Sequence, residues 1–293
     1  MAQPDPIASL SKASPGLPSI EAEIERISIG GPFIITKRDE DLYLWLRDRL
    51  DSRTCGIVIS AQRSGLSESC HYYRSQHVKY RGSILLLPVP VVYIRVPSGC
   101  TPIQLFDAAL QSLHRNLKFG RIEDLRKRVR ATLREYGVRL LIIDDAHYLK
   151  LKALRELVQV HELLKIPVIL SGTDEICDQF KSEWEQLHNS FLSFYIFPSM
   201  TMDQTASVID TWLTNFLNWE EESDLLYENV LKNLQTGTGG LTGPLNDTLQ
   251  KMAIQALKKG LHRIDEETVN EVLTGQMSAQ TRVKPIANSR ILV

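Results

Sequence analysis

The chain has 293 residues, 43% of them hydrophobic and 24% charged, with a formal net charge of −1 at pH 7. This mix suits a globular protein and excludes a disordered or fibrous one, while the near-neutral balance excludes a global electrostatic pull towards nucleic acid. No stretch reaches the ~20 apolar residues that a membrane span needs.

Residues 1–18, with four prolines, read as a flexible tail without an apolar signal core, so a cytoplasmic protein with no membrane partner is expected. Two amphipathic helices follow, over 19–27 and 40–51. Then the pattern alternates. Strands are expected at 55–60, 90–96, 138–144, 166–171 and 191–197, separated by helices at 66–77, 103–117, 122–136, 151–164 and 175–187. Pro102 suits the first turn of the 103–117 helix. Ile122, Leu125, Val129 and Leu133 recur every three or four residues and mark one buried helix face. The run 138–144 is nearly all apolar, as in a central parallel strand covered on both faces. From residue 201 only helical segments remain, at 202–219, 224–235, 243–259 and 265–274, and 276–293 reads as a second tail. The expectation is an α/β core over 19–200, with its N-terminal helices and a five-stranded parallel sheet flanked by helices, then a helical lid over 201–275. Cys55, Cys70, Cys100 and Cys177 form no CxxC pair and read as reduced, mostly buried thiols.

Three pieces carry chemistry. The first is SAQRSGLS at 60–67, in the place of a phosphate-binding loop. The working motif uses backbone N–H groups to cradle phosphates, a lysine to reach the β/γ oxygens and a hydroxyl to hold Mg²⁺. Gly65 and the hydroxyl of Ser67 survive, Ser60 replaces the first glycine, and Leu66 stands at the lysine position. Alone, this reads better as a structural turn. The second piece is LLIIDDAH at 140–147, a strand ending in two acids. Asp144 fits the metal-holding role, alone or with Ser67, and Asp145 the water-polarising one, one methylene short of the usual Glu. A strand end with a helix-capping Asp accounts for it equally, and His147 reads as a helix-start residue. The third piece, ILSGTD at 169–174, places Thr173 where a sensor would meet a γ-phosphate. Their order and spacing fit one P-loop architecture.

The runs VPVVYIR (89–95), CTPIQLF (100–106), VRLLIIDDAHYLK (138–150), VILSGTD (168–174) and ALKKGLHRID (256–265) resemble the TnsC/TniB family of AAA+ regulators of DNA transposition, including those of CRISPR-associated transposons. The resemblance spans roughly residues 35–275. It implies an AAA+ P-loop fold, ATP and Mg as cofactors, oligomers on duplex DNA, and a transposase and a TniQ-type adaptor as partners. It also exposes departures. The lysine is Leu66. The basic residues expected to act across a subunit interface fall near Asn189 and Phe191, in a stretch (182–197) without Arg or Lys. The lid's sensor arginine is Pro244. Phosphoryl transfer rests on positioned positive charge, and an arginine finger alone is worth about 10³–10⁵ in rate.

The expectation is therefore a degenerate nucleotide site of Arg63, Gly65, Leu66, Ser67 and Thr173 beside Asp144 and Asp145, in a pseudo-ATPase that oligomerises with itself or a paralogue. The rival is a working ATPase in which Arg63 replaces the lysine, since arginine holds phosphate well. A third reading is a structural subunit of an unrelated assembly, such as a defence complex. For duplex DNA the resemblance points to Arg121 and Lys150, with Gly99 and Ile103 at positions where a basic residue is usual. The row Arg126, Arg130 and Arg134 reads as a solvated helix face. Arg282, Lys284 and Arg290 around Pro285 form a basic tail that could dock a partner.

Overall fold

The computed structural model describes residues 19–116, 120–182 and 185–282; the expected tail over 1–18 lies outside them. The elements run α1 (Ile20–Ile29), α2 (Lys37–Ser52), β1 (Gly56–Ile59), α3 (Leu66–His77), β2 (Lys79–Arg81), β3 (Ile84–Leu86), β4 (Val91–Arg95), α4 (Pro102–Gln111), α5 (Ile122–Glu135), β5 (Leu140–Asp144), α6 (Leu151–Leu164), β6 (Val168–Gly172), α7 (Glu175–Ser182) and β7 (Ser193–Ile196). The C-terminal helices are α8 (Met202–Thr211), α9 (Glu228–Thr238), α10 (Thr242–Lys258) and α11 (Glu266–Arg282).

Each of the five expected strands forms, and they build one parallel sheet in the order β4-β5-β6-β1-β7. All of β5 is buried. Its side chains alternate between faces: Leu141 and Ile143 join a core under α4, α5 and α6, while Leu140 and Ile142 join one under α2 and α3. Burial on both faces explains why this strand shows no polar alternation. The start expected at Pro102 holds, where Thr101 and Gln104 form a reciprocal capping box; α2 begins at Lys37, earlier than the expected residue 40, behind a Thr36–Asp39 box.

Three expectations change. Residues 79–86, unassigned from sequence, form the β2–β3 hairpin, whose side chains, exposed except for Leu85, leave no core pattern to read. The helix expected over 202–219 is α8 followed by a π-helical turn at Trp212–Leu217. The last helix runs to Arg282 rather than ending at residue 274, while Lys284, Pro285 and Arg290 lie outside the described residues. The arginine row on α5 is also more than a solvated face. Arg126 makes a two-pronged contact with the buried Glu156 of α6 at 2.6–2.9 Å, and Arg130 donates to Gln159 at 2.9 Å.

The lid helices have their own core, centred on Trp212, Leu234, Leu249 and Met252. Ile27 of α1 belongs to that core, and Arg26 donates to the carbonyl of Phe216 at 2.7 Å, so α1 sits against the lid.

Gly56 opens β1 where a Cβ would lie 2.5 Å from the Trp45 ring and 3.1 Å from the carbonyl of Ser193. Gly56→Ala is expected to destabilise the protein by about 1–3 kcal/mol through overpacking. In urea denaturation, much of that loss should disappear in the Gly56→Ala, Trp45→Leu double variant.

Candidate functional site

The C-terminal ends of β1, β5 and β6 open on a cavity of about 740 Å³ roofed by the lid. In an open parallel sheet, ligands bind at this end. Gly65, Leu66, Ser67, Asp144, Asp145 and Thr173, scattered over a hundred residues of sequence, all line it.

The loop between β1 and α3 keeps the shape of a phosphate cradle. Ser60 N–H donates to the carbonyl of Gly172 at 3.0 Å, fastening the loop to β6. Arg63 has φ +60° and Gly65 φ +95°, which turn the chain into the N-terminus of α3. The first-turn amides of Ser67 and Glu68 have no acceptor within the helix. Ser67 is half-buried at the rim.

The cations are differently placed from what the loop would need. Leu66, only 4% exposed, packs with Leu42, Leu46 and Tyr73 under the sheet, so the lysine position contributes to the core. Arg63 lines the cavity, and its guanidinium pairs with Asp247 of α10 at 2.8 Å. Around it the lid is fastened to the loop. Thr242 Oγ1 donates to the carbonyl of Ser64 at 2.8 Å, Gly243 N–H donates to that of Arg63 at 2.9 Å, and buried Arg38 reaches Thr242 at 2.5 Å. Pro244 sits in this first turn of α10, where a sensor arginine was sought.

Arg95 is the cation that sequence reasoning missed. It ends β4 directly across from Asp144 in the β4–β5 register. Its guanidinium bridges both acids, at 3.2 Å from Asp144 and 3.2 Å from Asp145. Asp144, 1% exposed, also accepts from Tyr93 Oη at 2.5 Å and Ser171 Oγ at 3.2 Å. Burial, and then the neighbouring Asp144 charge, push the Tyr93 hydroxyl well above its ordinary range. The sequence shows two expected strands with opposite charges near their ends, and the fold makes them neighbours.

Three buried polar atoms at the cavity have no hydrogen-bond partner: His147 Nδ1, Thr173 Oγ1 and Trp212 Nε1. His147 lies in a 3₁₀ turn at Ala146–Tyr148 with its ring 4.1 Å from that of Tyr148.

Nucleotide phosphates would meet the loop amides, Ser67 and Thr173, but a magnesium ion does not fit this donor set. Mg²⁺ demands octahedral oxygen ligands at 2.0–2.1 Å, usually including one or two carboxylates. Both oxygens of Asp144 already accept hydrogen bonds, and a guanidinium stands against the two acids.

Arg121 and Lys150 lie outside the cavity. The parallel ties Arg126–Glu156 and Arg130–Gln159 place the N-termini of α5 and α6 at one end of the helix pair. Arg121 and Lys150, both exposed, occupy the N-cap positions of those helices.

Asp145 holds φ +55° and its carboxyl is raised above the usual range, first by burial and then by Asp144, against the pull of Arg95. A raised native value means the fold favours the protonated acid, so stability falls as pH rises through the carboxylate range. Asp145→Asn, which tolerates the left-handed conformation, is expected to raise the unfolding midpoint at neutral pH. That advantage should vanish in acid, as followed by thermal melts from pH 3 to 8.

A family model described as an AAA domain matches residues 48–180, from α2 into α7. No curated protein matches the sequence significantly. Among solved structures, the Aeropyrum pernix ORC2 protein aligns with TM-score 0.62 and 12% identity over 85% of this chain and 70% of its own. The Aeropyrum pernix ORC1 protein in complex with DNA aligns with TM-score 0.61 and 13% identity over 87% and 70%. The Thermotoga maritima RuvB Holliday junction branch migration motor aligns with TM-score 0.54 and 14% identity over 83% and 70%. The five-stranded parallel sheet, its flanking helices and the C-terminal helices of this chain form an AAA+ P-loop NTPase fold.

Proposed function

We propose that the protein is a non-hydrolysing AAA+ component of a DNA-transposition system of the TnsC/TniB kind, acting through protein contacts and weak duplex-DNA binding. The observation that carries the non-hydrolysing part is Arg95, whose guanidinium stands between the two acids that would otherwise hold metal and polarise water. The core-packed Leu66 and the Arg63–Asp247 pair support it, since no cation is left aimed at the loop amides from those positions. They also weigh against a working ATPase that uses Arg63 in place of lysine.

The transposition role rests on the sequence resemblance over 35–275, and with it the transposase, the TniQ-type adaptor and an oligomer with itself or a paralogue. The DNA contact rests on Arg121 and Lys150, exposed at one end of a helix pair. Contacts of this type are made to phosphates and are independent of sequence and sensitive to salt. A structural neighbour solved with DNA is in keeping with that reading.

Purified protein should release no phosphate from Mg·ATP above the level of an Asp144→Ala variant, with or without duplex DNA. Turnover that Asp144→Ala abolishes would overturn the proposal in favour of the remodelled ATPase. In filter binding across 50–200 mM salt, Arg121→Glu with Lys150→Glu should weaken duplex binding. It should also shallow the slope of log K against log salt by about two.

A further inference from the structure

The net charge of −1 conceals a separation of charge along the chain. Residues 69–122 hold seven Lys or Arg and a single acid, Asp107. Residues 201–231 hold seven Asp or Glu and no Lys or Arg. The fold carries part of each run to an opposite end of the molecule, and there each is joined by bare apolar side chains.

The basic run contains the β2–β3 hairpin. It follows α3, which starts at the cavity and has 12 residues, so about 18 Å separates the hairpin from the phosphate loop. It leads into the first residue of β4 and so stands at the N-terminal ends of the strands. A tight turn at Gly82, with φ +61°, sets a register in which Lys79 faces Leu86 and Arg81 faces Ile84. Alternation then puts these four side chains on one face, and Tyr80 and Leu85 on the other. The second face is occupied: Leu85 packs against the core, and Tyr80 Oη accepts from Arg74 at 3.0 Å. The first face is bare. All four of its side chains are exposed, Ile84 at 65%, and Leu87 beside them is 55% exposed. Neither Lys79 nor Arg81 has an acid partner among the described residues.

The acidic run contains the far end of the lid. α8 starts beside Met200, whose N–H donates to the carbonyl of Gly240 at 2.8 Å, and α9 returns to that glycine. The connection over 218–227 therefore lies at the end of this helix pair farthest from the phosphate loop. Glu220, Glu221 and Glu222 are exposed there, followed by Leu226 at 42% and Tyr227 at 60%. Glu221 is 3.8 Å from Arg263, while Glu220 and Glu222 have no cationic partner among the described residues.

Exposed apolar side chains grouped in a patch mark a contact surface. Duplex DNA would use the hairpin cations but leave Ile84, Leu86 and Leu87 in water, because phosphate contacts are polar. An acidic protein surface with apolar groups of its own uses both, and the far end of the lid has that composition. We infer that the bare hairpin face of one copy docks the 218–227 end of the lid of a second copy. Lys79 and Arg81 meet the glutamates, and the hairpin's apolar side chains meet Leu226 and Tyr227. Since the two surfaces lie at opposite ends of one chain, the contact is heterologous and repeats into a ring or an open filament. It needs neither nucleotide nor DNA. Both patches are small and charged, so the contact is weak and salt-sensitive. The inference deepens the self-oligomer part of the proposed function and rests on it.

The test is sedimentation of the full chain without nucleotide or DNA, from about 10 to 300 µM, in roughly 50 mM and 500 mM salt. The weight-average mass is expected to rise at least twofold at low salt, and the high-salt rise to be less than half as large. Lys79→Glu with Arg81→Glu should abolish the rise, and so should Glu220→Lys with Glu222→Lys. Mixing the two variants in equal amounts should restore it, because an acidic hairpin then meets a basic lid end; recovery also shows that both variants are folded. A chain that is monomeric throughout overturns the inference and leaves the non-hydrolysing reading untouched. Self-association that neither variant weakens, or that mixing fails to restore, also overturns it, while the self-oligomer reading stands. A monomeric chain whose duplex binding is lost in the Lys79→Glu, Arg81→Glu variant overturns it in favour of nucleic acid at the hairpin.

Discussion

A carboxylate that is almost wholly enclosed has to be answered by its neighbours, and Asp144 sets this condition for the whole site. β5 is an interior strand covered on both faces, lying between β4 and β6, and its last residue is buried. Three side chains answer it, from the two flanking strands: Tyr93 and Arg95 from the register partner β4, and Ser171 from β6 on the other side. The parallel pairing fixes this. Slipping β4 by one residue would move both Tyr93 and Arg95 to the wrong face.

The same register separates what the sequence made legible from what it concealed. The five strands, most helix starts and the phosphate-loop position could be read because they follow from period, caps and apolar runs. The approach of Gly65, Ser67, Asp144, Asp145 and Thr173 to one cavity followed from their order in a parallel sheet. Arg95 was in plain view within VPVVYIR, yet its role needs the knowledge that β4 and β5 are neighbours and aligned. Leu66 was legible as a missing lysine, but not as a core residue, because that depends on α2 packing beneath the loop. The β2–β3 hairpin escaped because all its side chains but Leu85, half-buried against the core, are exposed. Arg126 and Arg130 looked solvated since Glu156 and Gln159 lie about thirty residues away.

The wall formed by α5 and α6 is a consequence of those long-range ties. Arg126, a third exposed, pairs with the buried Glu156. Such pairs add little net stability against an apolar alternative but are damaging to break from one side. Their value here lies in alignment, since they set the two helices side by side and present Arg121 and Lys150 from adjacent ends.

The lid is joined to the phosphate loop by direct contacts: Thr242 and Gly243 to the carbonyls of Ser64 and Arg63, Arg38 to Thr242, and Arg63 to Asp247. In a mechanical switch, the lid must swing when a terminal phosphate is lost, so that the chemical event becomes a lever stroke. Here the lid already rests on the loop through one backbone amide and three side-chain contacts. On the proposed non-hydrolysing reading, these ties make the C-terminal helices a strut that fixes the spacing and angle of whatever attaches to them.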